Sequence, residues 1–105
     1  MKLQDNMDNE LVDRIVCEGD ESADNLDLML DRSTFLFAQA RTFDGQRYYV
    51  LLVYACDEHN IRERSKELNY AMFNDRRLTE RHTWTTRQEL LDYVAATMHA
   101  TLSDW

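Results

Sequence analysis

Apolar positions recur along the chain with two different periods, and the change of period divides it into elements. Leu3, Met7, Leu11 and Ile15 return every fourth residue, with Val12 and Val16 beside them, so residues 3–17 predict an amphipathic helix. Gly19 follows where a left-handed C-terminal cap would end that helix. Residues 22–31 fit both periods. Ala23, Leu26, Met29 and Leu30 suit a helix, whereas Leu26, Leu28 and Leu30 alternating with Asp27, Met29 and Asp31 suit a strand. The short helix is the preferred reading here.

The next stretch carries the strongest local signal. Thr34 to Arg41 and Arg47 to Ala55 are rich in aromatic and β-branched residues, and Asp44-Gly45 between them is a hairpin-turn dipeptide. Tyr48 to Tyr54 is apolar at every position, the pattern of a central strand covered on both faces. Asp57 offers an N-cap for a helix over 58–73, with Ile61, Leu68, Met72 and Phe73 as its apolar positions. Residues 78–84 predict a further strand with Leu78, Glu80, His82 and Trp84 on one face, and a parallel pairing with 47–55 through a right-handed crossover is one way to place it. Thr86-Arg87-Gln88-Glu89 has the form of a capping box and opens a helix over 86–102, with Leu90, Val94, Met98 and Leu102 as its stripe.

The sum is an α+β (mixed α/β) domain. A central antiparallel β-hairpin (34–55) plus a third strand (78–84) is packed by an N-terminal helix and two C-terminal helices, behind an acidic, helical segment 1–32. The chain's 105 residues, without prolines and with only two glycines, show no flexible linker, so one domain over 1–105 is expected. With 44% apolar and 30% charged residues, the chain can build one core, which excludes a wholly disordered protein.

Charge changes the picture more than composition does. Twelve basic and twenty acidic residues give a net −8. Residues 1–32 hold ten of the acids and three bases, a net −7, and the remainder is nearly balanced at −1. Direct binding to duplex DNA or to an anionic membrane is therefore not expected, since both need positive potential. The N-terminal residues lack the apolar run of a secretory signal, so a cytoplasmic location with reduced Cys17 and Cys56 is the expectation.

Candidate chemistry is sparse. Cys56 and His59, with Asp57 and Glu58 between, make half of a zinc motif, and Cys17, His82 and His99 offer no second half at matching spacing. No glycine-rich phosphate loop, Walker sequence or Gly-x-Ser-x-Gly elbow occurs. No cofactor and no catalytic residue is expected. Arg62, Arg64, Lys66, Arg76, Arg77, Arg81 and Arg87 form a basic run, but Glu63, Glu67, Asp75 and Glu80 dilute it into an ordinary solvated surface. The acidic third is the more unusual feature. Asp13, Glu18, Asp20, Glu21, Asp24, Asp27 and Asp31, joined by the terminal Trp105, are the expected partner-binding residues. They fit a small acidic, non-catalytic protein that inhibits or regulates a protein partner with a basic surface, such as a nucleic-acid-handling protein met through phosphate mimicry, in the manner of phage or mobile-element inhibitors and immunity proteins. Two alternatives compete with it. One is a homodimeric structural or adaptor protein whose acidity only solubilises it. The other is a small enzyme with a motif-free site around Cys56, His59 and His82.

Overall fold

The doubly apolar stretch at 48–54 lies at the centre of the fold. In a computed structural model, residues 3–31, 33–55 and 78–102 are described, apart from the side chains of 3–9 and 22–24. Helix α1 (Leu3–Glu18) leads into strands β1 (Asp20–Asp31), β2 (Thr34–Phe43), β3 (Gln46–Ala55) and β4 (Leu78–Trp84), and helix α2 (Arg87–Met98) follows. The strands form one sheet in the order β1-β2-β3-β4, with every neighbouring pair antiparallel.

Alternation along β2 and β3 sorts their side chains into two cores. Phe35 and Phe37 of β2 and Val50, Leu52 and Tyr54 of β3 face α1 and meet Val12, Ile15 and Val16. Leu36, Ala38 and Ala40 with Leu51 and Val53 face α2 and meet Leu90, Val94 and Leu102. An α+β fold with a helix on each face of the sheet is thus what the two-faced β3 sequence requires. Asp44 and Gly45 form the β2–β3 turn with φ of 54° and 81°. A two-residue turn that matches strand twist needs positive φ at both positions, which Asp-Gly tolerates. Thr86 caps α2 through the expected box, its hydroxyl accepting from the Glu89 N–H at 3.3 Å and the Glu89 carboxylate accepting from the Thr86 N–H.

Several expectations are corrected. Residues 20–31 form a strand, so the segment 1–32 is not helical throughout. The free side of β2 decides this. Leu26 and Leu28 register against Ala38 and Leu36, and that pairing places the leucine row on the α2 core, where a lone short helix would bury less. Strand β4 runs antiparallel to β3, not parallel, because it begins beside Tyr54, where β3 is ending. An irregularity between Val53 and Tyr54 inserts Thr79, whose hydroxyl donates to the Val53 carbonyl. That extra residue turns Leu78 into the α1 core and leaves Glu80, His82 and Trp84 on the α2 side, so the four do not share a face.

Gly19 is not a left-handed cap, since Gly45 is the glycine with positive φ. Its N–H donates to the Ile15 carbonyl at 2.8 Å, and a Cβ there would stand 2.5 Å from that oxygen and 3.2 Å from the Thr42 carbonyl. Close backbone approach, not handedness, calls for glycine at this position. Helix α2 stops at Met98, four residues before the expected end, as His99 enters the left-handed region at φ 54°. Leu102 still reaches the core from beyond the helix. The expected helix at 58–73 lies outside the described residues, so of the two C-terminal helices α2 is the one described. No helix among the described residues is long and apolar enough to cross a membrane.

Candidate partner-binding site

The acidic residues predicted as one surface have different fates once the chain folds. Asp13, near the end of α1, lies 3.7 Å from Arg81 of β4 and ties the helix to the sheet. Its Oδ1 is buried without a hydrogen bond, and that loss of hydration raises its pKa, against the opposing pull of Arg81. Glu18 pairs one turn back with Arg14 at 3.8 Å, both side chains being exposed.

Glu21 is the most heavily engaged. Its carboxylate accepts from Asn25 and from Gln39, and lies 3.8 Å from the Arg41 guanidinium. Arg41 is buried in the sheet, where its Nε donates to the Gln39 side-chain oxygen at 2.8 Å and an Nη donates to the Gly19 carbonyl at 3.0 Å. The first residues of β1 are therefore held by an arginine from β2. Asp31 closes the β1–β2 turn by accepting from the N–H and hydroxyl of Ser33 at 2.7 and 2.9 Å. Those bonds to its charged form hold its carboxyl below the usual range.

Two carboxylates remain. Asp20 and Asp27 are exposed on β1 and have no hydrogen-bond or ion-pair partner among the described residues. Asp27 stands on the α1 side opposite Phe37, and although it is exposed, the partial burial of its carboxyl pushes its pKa up. The sign of the linkage follows. A carboxyl with a raised folded-state pKa binds its proton more tightly in the native protein, so stability rises as pH falls through the interval from that raised pKa down to 3.8. Asp27→Asn is expected to be more stable than wild type at neutral pH and to lose part of that gain in acid. Urea midpoints at the two pH values check this.

The side chain of Asp24 and all of Trp105 lie outside the described residues, as do Cys56, His59 and most of the basic run. Among the described residues no group of three or more His, Cys, Asp or Glu side chains is placed to hold a metal ion. Cys17 is exposed on α1 as a free thiol.

Sequence reasoning missed a polar cluster on the other face. Glu80 and His82 alternate along β4, and Tyr93 reaches them from α2. The Tyr93 hydroxyl donates to Glu80 Oε1 at 2.8 Å, and His82 Nε2 lies 3.0 Å from the same oxygen and 3.1 Å from the hydroxyl. His82 also stacks on Trp84, with ring centroids 5.6 Å apart and planes 21° apart. The i,i+2 pairing of Glu80 with His82 was legible, but its closure by Tyr93 depends on how α2 sits. A groove of about 430 Å³ between the ends of the strands and the end of α2 touches Glu80 but neither His82 nor Tyr93. The cluster's polar atoms face one another, an arrangement that anchors α2 to β4.

No family model matches the chain, and no curated protein or solved structure matches it.

Proposed function

We propose that the protein is a small acidic binding protein that engages, and thereby regulates or inhibits, a protein partner with a basic surface. One observation carries this reading: Asp20 and Asp27 are exposed on β1, at the edge of the sheet among the described residues, and have no hydrogen-bond or ion-pair partner among those residues. Uncompensated carboxylates on a rigid strand attract cationic surfaces and speed association.

Their spacing narrows the partner. Five acids distributed over the 12 residues of β1, at about 3.3 Å rise per residue, supply roughly one charge per 8 Å. Duplex DNA carries one per about 1.7 Å. Imitation of a whole duplex would require a denser row, so the edge suits a discrete basic segment, including one that otherwise contacts nucleic acid. The enzyme alternative needs Cys56 and His59 beside His82, and both of those residues lie outside the described residues.

Charge reversal tests the reading. Asp20→Lys with Asp27→Lys is expected to slow partner association on the order of tenfold while the far-UV spectrum stays unchanged. Glu21 is left intact because it holds Arg41. Asp92→Lys, on the exposed side of α2, serves as the control and should have little effect. Equal effects from the two sets would overturn the proposal.

A further inference from the structure

Strand β1 pairs with β2 along one side, and its other side has no partner among the described residues. Between its two irregularities, Asn25 to Met29 register residue by residue against Gln39 to Phe35, so this stretch is a regular template. Its two faces differ. Asn25, Asp27 and Met29 stand on the α1 side. Leu26 and Leu28 stand on the α2 side, packed on that core but only partly buried.

We infer that this edge accepts an extended segment of the partner as an added strand, with apolar and basic residues alternating along that segment. The inference rests on the proposed function above and specifies how the basic partner is held. An added strand would bond to the outward backbone groups of β1. Its apolar side chains would cover the parts of Leu26 and Leu28 that remain exposed, and its lysines or arginines would stand beside Asp27, at the roughly 5 Å separation of directly opposed strand residues. Charge also selects among occupants. A second copy of this chain pairing antiparallel along Asn25–Met29 would set Asp27 against the Asp27 of the other copy, and like charges across strands repel.

Synthetic peptides separate the possibilities. One alternates lysine and valine, a second has the same composition without alternation, and two more carry N-methyl groups on the odd or on the even amides of the first. Fluorescence anisotropy at low salt is expected to show the alternating peptide binding about tenfold tighter than the non-alternating one. One N-methyl pattern should abolish binding and the other spare it, and the bound peptide should slow amide exchange within Asn25–Met29. Equal, salt-sensitive binding of all four peptides would overturn strand addition while leaving the acidic-surface reading standing. Binding by none of them, with capture of protein partners unaffected by Asp20→Lys and Asp27→Lys, would overturn both. Full amide protection of Asn25–Met29 in the free chain would show an edge already occupied and would also overturn strand addition.

Discussion

Replacing Arg41 with alanine is expected to lower the unfolding free energy by about 3 kcal/mol, with the slope of urea unfolding unchanged. Arg41 is 7% exposed and collects three elements around one guanidinium: Gln39 beside it on β2, Glu21 on β1, and the Gly19 carbonyl where α1 hands over to β1. Burial pushes the arginine's pKa down, and the charges of Glu21 and Cys17 oppose that. Alanine would leave the Gly19 carbonyl and the Gln39 oxygen without this donor, and would empty the space filled by the arginine stem. Glu21 is itself exposed, so water can replace its lost partner, which keeps the loss near the low end for a broken buried pair. Arg41→Met should restore the packing but not the bonds, and so recover part of the loss. A loss below about 1 kcal/mol would show that the guanidinium does not hold the α1–β1 corner.

Leu51→Ala is expected to cost about 3 kcal/mol, within the range for truncating a fully buried leucine. Leu51 has no exposed surface and stands opposite Ala38 on one side and His82 on the other, under α2. Ala38 is too small to fill the space left behind, and the strands on both sides are fixed by their ladders, so the cavity should persist. Leu91→Ala, at a partly buried position on α2, should cost much less. Against a total of about 5–15 kcal/mol for a domain of this size, either core loss lowers the melting temperature visibly. Equal costs at 51 and 91 would mean that the α2 face is not the well-packed core described above.

What the sequence revealed depended on whether the signal was local. The Asp44-Gly45 turn, the doubly apolar β3 and the Thr86 capping box each lie within a few residues, and each is found where expected. Residues 22–31, expected as a short helix, are part of strand β1 because their leucines satisfy both periods and the free side of β2 makes the choice. Leu78 changed sides through a single inserted residue, Thr79, which no pattern of apolar positions announces. The acidic row was legible as composition but not as a surface. Asp13 meets Arg81 and Glu21 meets Arg41, pairings made by tertiary structure, whereas Asp20 and Asp27 on β1 have no such partner among the described residues. The Glu80–His82–Tyr93 cluster was missed for the same reason, since Tyr93 joins it only through the packing of α2 on β4.

Capture of binding partners by the tagged 105-residue chain, compared between about 0.05 M and about 0.5 M salt for wild type and for Asp20→Lys with Asp27→Lys, tests the acidic edge most directly. The account expects wild type to retain proteins with basic surfaces at low salt and to release them at high salt, and expects the double variant to retain little at either. Partners that stay bound at high salt and ignore the two substitutions would contradict it.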